Sequence, residues 1–313
     1  MKHPMKTLVR MAGAATASAA TALALSTPAW ADKPVDWQIW HQTAASPGME
    51  AIVWFDWYTL AFIVPITLFV MALLGYVMWK FRASANPVPS QTTHNTAIEV
   101  VWTLAPVAIL VAIAIPSFQL LTAQFNPPKE PGITIKTTGY QWYWGIEYQT
   151  GEDGAAAITY DMRPIGSDEI AGSAEAAMAE RVALGKEDEE AYPTLLAVDN
   201  EIVVPVGEVV RVLVTAGDVI HNFAMPAFGL KMDGYPGRLN ETFFQPTKEG
   251  LYYGQCSELC GKYHAYMPIG IRVVSQADYD TWAAAAAGGD VEGANKALMA
   301  TLNAKKKVDV ASN

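Results

Sequence analysis

Charge, cysteine and histidine are all scarce in this chain. Only 17% of its 313 residues are charged against 51% hydrophobic, a balance that argues against a wholly soluble protein and points to membrane segments. The charge that is present is lopsided, 21 Lys and Arg against 31 Asp and Glu. The chain therefore lacks the basic surface of a nucleic-acid binder, and its expected partners are basic. No Cys-x-x-Cys-His occurs, which excludes a covalently attached c-type haem. There is no internal repeat. That leaves two cysteines and five histidines, and their placement carries the information.

Both cysteines fall in Cys256-Ser257-Glu258-Leu259-Cys260-Gly261-Lys262-Tyr263-His264-Ala265-Tyr266-Met267, together with one of the two histidines that follow His94. The other, His221, lies upstream in a segment that reads as strand. Two thiols, two imidazoles and a thioether form a soft donor set, which suits copper rather than calcium, magnesium or manganese. A single-copper electron-transfer site uses one Cys, two His and a weak axial Met, and His221, Cys256, His264 and Met267 follow that order. Cys260 is surplus to one ion, and a second thiolate four residues on could bridge two, giving a dinuclear copper centre. Three other readings stay open. A Cys256–Cys260 disulfide leaves both histidines and Met267 unexplained. Tetrahedral zinc on Cys256, Cys260, His264 and His221 gives Met267 no role. Buried structural cysteines are common, though rarely beside every histidine of a domain.

Residues 1–31 read as a secretory signal, with Lys2, Lys6 and Arg10, an apolar stretch and Ala29-Trp30-Ala31 as a small-x-small cleavage site. A periplasmic segment, 32–55, would follow. Tyr58 to Trp79 and Val100 to Leu121 are free of charge and long enough to cross the hydrocarbon core, which takes about 20 helical residues. They predict transmembrane helices over 56–80 and 99–122. Trp54, Trp57, Tyr58, Trp79 and Trp102 sit at the edges as an aromatic belt, and Pro65, Pro106 and Pro116 are tolerable inside membrane helices. Lys80 and Arg82 make the 81–98 linker cytoplasmic by the positive-inside rule. That orientation agrees with signal cleavage and puts everything after the second span in the periplasm of a bacterial inner membrane.

Residues 128–275 read as an all-β domain. Ile133 to Thr137 alternates, Tyr140 to Tyr148 is aromatic, and Glu201 to Val206 and Val209 to Val214 are β-branched runs parted by Gly207. Leu251-Tyr252-Tyr253 precedes the cysteine loop and Ile269 to Val274 follows it, a pattern predicting a Greek-key sandwich. Residues 164–192, rich in Ala and acid, read as a surface insertion with some helix. Residues 276–313 read as helix followed by disorder.

The chain resembles subunit II of the haem–copper cytochrome c oxidases, of alphaproteobacterial and mitochondrial type. The resemblance is carried by Tyr140-Gln141-Trp142-Tyr143-Trp144, Val198-Asp199-Asn200, Pro236-Gly237-Arg238-Leu239-Asn240 and Tyr252-Tyr253-Gly254-Gln255-Cys256-Ser257-Glu258-Leu259-Cys260-Gly261. It runs from about residue 50 to 275, and Tyr140 stands where many relatives carry His. The fold it implies is a two-helix transmembrane hairpin followed by a cupredoxin-like Greek-key domain. His221, Cys256, Cys260, His264 and Met267 match the family's dinuclear copper ligands, with the Glu258 backbone carbonyl as the sixth. The Glu258 side chain matches a ligand to magnesium or manganese shared with subunit I, as a hard oxygen donor should.

Trp142 matches the residue through which electrons are taken up from cytochrome c. Glu147, Asp161, Asp199 and Asp218 match acidic positions that attract that protein's basic face. Independently, residues 122–275 hold 21 acids against 11 bases, a field that would steer a basic partner. Glu99 matches a glutamate near the mouth of a proton pathway into subunit I. The resemblance thus implies a subunit that takes single electrons from cytochrome c and passes them to haem in subunit I, within a complex that reduces oxygen and pumps protons. The chain alone has too few histidines for those haem and copper sites. A quinol oxidase subunit II would lack the copper side chains, and nitrous oxide reductase would need a large further domain. A membrane-tethered copper chaperone or thiol redox sensor remains as the alternative from another functional class; it would bind a single, exchangeable copper.

Overall fold

The computed structural model describes residues 32–150 and 155–312; the expected signal sequence lies outside the described residues. Helix α1 (Pro47–Lys80) and helix α2 (Thr96–Phe125) have 34 and 30 residues, roughly 51 and 45 Å at 1.5 Å per residue. Both exceed the ~30 Å hydrocarbon core, so each helix extends beyond its apolar run. The two touch where the Tyr58 hydroxyl donates to the Ala112 carbonyl at 3.0 Å.

The start of α1 is tied to the β domain. Ser46 caps the helix, its Oγ accepting from Met49 N at 3.0 Å while donating to Phe228 O at 2.8 Å. Ala45 N donates to Ala227 O, and Ala45 and Met49 are buried there. One hydroxyl therefore both ends the loop and joins helix to domain, a capping role typically worth about 1 kcal/mol. At the start of α2, Asn95 Oδ1 accepts from Ile98 N, and Glu99 Oε1 accepts from Asn95 N at 3.1 Å. Glu99 thus closes the helix N-terminus.

The β domain is a sandwich of two five-stranded sheets. The first has the order β3 (Ala155–Met162), β2 (Tyr143–Thr150), β1 (Ile133–Tyr140), β5 (Val210–Ala216), β8 (Asn240–Phe244). The second runs β4 (Ile202–Pro205), β10 (Pro268–Val274), β9 (Gly250–Cys256), β6 (His221–Met225), β7 (Leu230–Gly234). Pairing is antiparallel except β1 with β5 and β4 with β10. Period-two alternation explains the interior: Trp144, Ile146 and Tyr148 of β2 are buried while Tyr143, Gly145 and Glu147 are only partly so.

β10 breaks that alternation, since all seven of its residues are buried. Its outer face is covered by the segments expected to be surface insertion and partly disordered tail. Short α3 (Asp168–Ala171) and α4 (Ala174–Leu184) belong to the first, and Ile165, Tyr192 and Ala197 around them pack a second small core against Leu251 and Tyr253. The tail forms α5 (Gln276–Ala286) and α6 (Val291–Ser312). Trp282 and Ala286, then Ala294 and Leu298, are buried at i, i+4 spacing. The Trp282 indole donates to Asn295 Oδ1 at 2.8 Å and packs on Tyr148.

A charged cluster lies under this cover. Lys186 Nζ and Glu201 Oε1 are 2.8 Å apart, each side chain only 3% exposed. Lys186 also donates to the carbonyls of Val198 and Asp199. Arg272 donates to Glu201 and to the Tyr192 hydroxyl, both at 3.1 Å. Burial works against the Glu201 carboxylate, but Lys186 and Arg272 beside it hold its pKa below the usual range.

Candidate metal centre

His221, in a segment read as strand, is the first residue of β6, which pairs with β7 on one side and β9 on the other. Cys256 ends β9, and the loop it starts runs to Pro268 at the start of β10. The loop is anchored at both ends: Cys256 N donates to Met267 O at 3.0 Å, and Ser257 N donates to Asn222 O. Adjacent strands of one sheet thus bring His221 beside residues 35 and more positions later.

The donor atoms form a chain. His221 Nδ1 is 3.9 Å from Cys256 Sγ, Cys256 Sγ is 3.8 Å from Cys260 Sγ, and Cys260 Sγ is 3.6 Å from His264 Nδ1. The Glu258 carbonyl oxygen is 3.3 Å from Cys256 Sγ. Met267 is buried, while the Glu258 side chain is exposed. Both cysteines are free thiols, and 3.8 Å is well beyond an S–S bond of about 2.05 Å.

The donor set fits soft cations, and its shape bears on their number. At a metal–sulfur distance of about 2.3 Å, a tetrahedral site sets its donors about 3.5–3.8 Å apart, every one to every other. His221, Cys256 and Cys260 form a group whose donor atoms all lie within 4.8 Å of one another, and His264 stands outside it. One imidazole thus stands at each end of the sulfur pair.

The surroundings fix these donors. The Asp218 carboxylate can only accept, so the 2.8 Å contact from its Oδ1 to His221 Nε2 places the proton on Nε2. The Nδ1 lone pair then faces the sulfurs. Burial opposes the charge on His221, but Cys256 and Asp218 beside it raise its pKa overall. Burial likewise opposes the thiolate of Cys256, yet its His221 neighbour helps bring that thiol down to about 7. Burial and the neighbouring Cys256 push Cys260 up to about 12. A Cβ on Gly139 would come within 2.7 Å of the His221 ring, so only glycine leaves the imidazole its place. Changing Asp218→Asn is expected to lower copper affinity about 10–100-fold, the usual cost of losing such an orienting partner. The β structure should stay intact; a chelator competition titration checks the affinity.

Trp142 is half-buried rather than fully exposed, and it is held on the cysteine loop. Its ring meets Tyr263 edge-on with centroids 5.0 Å apart, and it packs over Gly261, where a Cβ would come within 3.2 Å of the indole. Gln141 Nε2 donates to Cys260 O, and Gln141 N donates to Asp218 Oδ2, both at 2.7 Å. Sequence reasoning missed Gln141; its place beside Trp142 was the available signal. Asp218, expected as a docking acid, holds both His221 and the Trp142 turn. Its spacing of three from His221 could have shown this. Trp144 is fully buried and packs on His221 and Phe223.

The other acids are also engaged. Glu147 pairs with Lys136 at 2.8 Å and Asp161 with Arg163 at 2.6 Å. Asp199 Oδ1 accepts from the backbone of Arg163 and of Asn200, and burial raises its pKa to about 6. Glu99 lies on α2, away from this cluster in sequence and element.

Comparison with known proteins bears on most of the chain. Residues 133–274 match the family profile "Cytochrome C oxidase subunit II, periplasmic domain", and residues 34–120 match "Cytochrome C oxidase subunit II, transmembrane domain". A probable cytochrome c oxidase subunit 2 of Rickettsia felis is 42% identical over 278 residues, 89% of this chain and 81% of the relative. Cytochrome c oxidase subunit 2 of Cereibacter sphaeroides is 43% identical over 251 residues, 80% of this chain and 81% of the relative. Among solved structures, the periplasmic domain of subunit II of cytochrome oxidase (CoxB) of Bradyrhizobium japonicum is 45% identical. It covers 50% of this chain and 95% of its own, with a TM-score of 0.40. With both profiles matched, the chain belongs to the cytochrome c oxidase subunit II family, as a twice-spanning subunit of that oxidoreductase with a cupredoxin-like domain in the periplasm.

Proposed function

We propose that this subunit takes electrons one at a time from cytochrome c and delivers them to a haem in subunit I, where oxygen is reduced and protons are pumped. The observation that carries this reading is the line of donors from His221 Nδ1 through the two sulfurs to His264 Nδ1. His221, Cys256, Cys260, His264, Met267 and the Glu258 carbonyl would hold two copper ions. Bound there, copper would supply one-electron redox chemistry within this donor geometry. The protein's part is to keep that geometry the same in both oxidation states. Strand ends fix His221 and Cys256, Asp218 fixes the imidazole, and the Cys256–Met267 backbone bond closes the loop.

Trp142 is the proposed point of electron uptake, because Gln141 ties its turn to Cys260 and its ring rests on the ligand loop. The acidic domain surface, including Glu147 and Asp161, is proposed to steer cytochrome c, with Asp199 and Asp218 contributing field from partly covered positions. The exposed Glu258 carboxylate is proposed to bind magnesium or manganese together with subunit I. Glu99, one oxygen of which caps α2, is proposed to mark the mouth of a proton path. Trp142→Ala should lower electron uptake by roughly two orders of magnitude, about 3 kcal/mol of barrier, with copper content unchanged. Stopped-flow oxidation of cytochrome c beside metal analysis checks this.

The reading as a whole is tested by loading the purified full-length chain with copper and measuring metal content and electron paramagnetic resonance. Two coppers per chain sharing one unpaired electron, with a seven-line hyperfine pattern, are expected. One exchangeable copper with a four-line pattern, or zinc in its place, would move the chaperone or thiol-sensor reading to the front.

A further inference from the structure

The chain ahead of α1 makes an excursion that the electron-transfer function does not use. Asp32 N donates to Leu251 O and Asp32 O accepts from Tyr253 N, so residue 32 lies against β9 of the β domain. Lys33 Nζ donates to Glu190 O, also on the domain. By residue 45 the chain is back on the domain, where Ala45 N donates to Ala227 O and Thr247 N to Ala45 O. Between these anchors it runs down beside α1. Trp40 lies against Trp57, ring centroids 4.6 Å apart, and His41 Nε2 is 3.1 Å from Asp56 Oδ2.

Trp57 is ten residues into α1, roughly 15 Å along the helix axis from its seat on the domain. The loop 34–44 therefore reaches the level of the aromatic belt, where the apolar surface of α1 begins. At its tip Trp37 is 97% and Ile39 96% exposed, with Val35 also exposed. Apolar Val35, Trp37 and Ile39 alternate with polar Asp36 and Gln38. Trp37 also holds φ at 63°, a region that costs energy for any residue but glycine. It sits in a turn closed by Gln38 N donating to Val35 O at 3.1 Å, and its ring stays exposed among the described residues.

We infer that the tip of this loop, Val35 to Trp40, lies in the interfacial layer of the outer membrane leaflet as a third anchor beside the two spans. Continuity carries the choice of lipid as occupant. Trp40 packs on Trp57, which with Trp54 and Tyr58 forms the outer aromatic band of α1, and indole rings favour that layer because one edge is apolar and one is wet. The polar residues in between suit a loop lying at the headgroups rather than in the hydrocarbon. Such an anchor would fix the tilt of the β domain over the membrane at a point far from the Ser46 clamp.

The test places a photoreactive benzophenone in the full chain in its native membrane, as Trp37→p-benzoylphenylalanine and separately as Ile39→p-benzoylphenylalanine. Lys33→p-benzoylphenylalanine, on the domain, is the control. After irradiation, mass spectrometry should find phospholipid adducts on the peptides of the first two variants, several-fold above the control. Cross-links from 37 and 39 to another protein subunit would overturn the inference. So would lipid labelling no stronger than at 33, or no adduct at either tip position. Two tip variants guard against one of them failing to fold.

Discussion

Cys256→Ser is expected to abolish electron uptake from cytochrome c, a loss greater than the 10–100-fold that follows removal of an orienting partner such as Asp218. Cys256 is the hub of the donor line: its sulfur lies 3.9 Å from His221 Nδ1, 3.8 Å from Cys260 Sγ and 3.3 Å from the Glu258 carbonyl. Its thiol pKa of about 7 makes the anion accessible at neutral pH, whereas a serine hydroxyl is neither ionised there nor soft. Oxygen in that place turns a copper-selective donor set into one with a hard member at its centre. Copper per chain should fall from two to one or none, and the delocalised spectrum should vanish. Cys260→Ser should do the same if both sulfurs bridge. If Cys260→Ser instead kept one ion and its activity, the second sulfur would be dispensable and the dinuclear proposal would fail.

Much of this site was legible because its signals are local. Four of the five side-chain donors lie within twelve residues, Cys256 to Met267, and soft donors in that order point to few metals. His221 was reachable because it was the other histidine of the domain. The spans were legible for a related reason: a run of some twenty residues without charge matches the thickness of the hydrocarbon core and is too long for an ordinary buried helix.

What escaped the sequence depends on partners distant along the chain. Asp218 reads as one more acid on an acidic surface until β6 turns its neighbour His221 toward the cysteines. Gln141 is silent until β1 and β2 bring it to the Cys260 carbonyl, 119 residues later. The packing of the insertion and tail was the least legible part. Ala- and Glu-rich sequence is read as surface, yet Lys186 points inward to Glu201 and Arg272 behind β10, and Trp282 packs on Tyr148 of the main core. An isolated Lys among acids carries no mark that it will be buried; only the facing Glu201 and Arg272 decide that.

Glu201→Gln should therefore have a large effect on stability without touching the metal site. One carboxylate serves two buried cations, and truncating one side of a buried ion group costs about 3–5 kcal/mol. For a domain of this size that is roughly 6–20 °C in melting temperature. Burial already lowers the pKa of Lys186 despite its partners, so losing Glu201 should make that amine shed its proton and soften the loss, leaving Arg272 as the residual unpaired charge. The pH dependence follows from the sign of the shift. Glu201 has a folded pKa depressed below the ordinary 4.5 of a glutamate, so its stabilisation is present above that pH and is lost as pH falls through the folded value. Asp199, raised to about 6, works the other way: its contribution favours the fold at low pH and fades as pH rises from about 4 to 6. The gap between wild type and Glu201→Gln should be widest near neutrality and close in acid, followed by near-UV circular dichroism melting of the full chain in detergent. Adding Lys186→Met to Glu201→Gln should recover part of the loss, because a buried cation site becomes apolar. A gap that stayed constant from neutral to acid pH would show that the cluster contributes shape rather than charge.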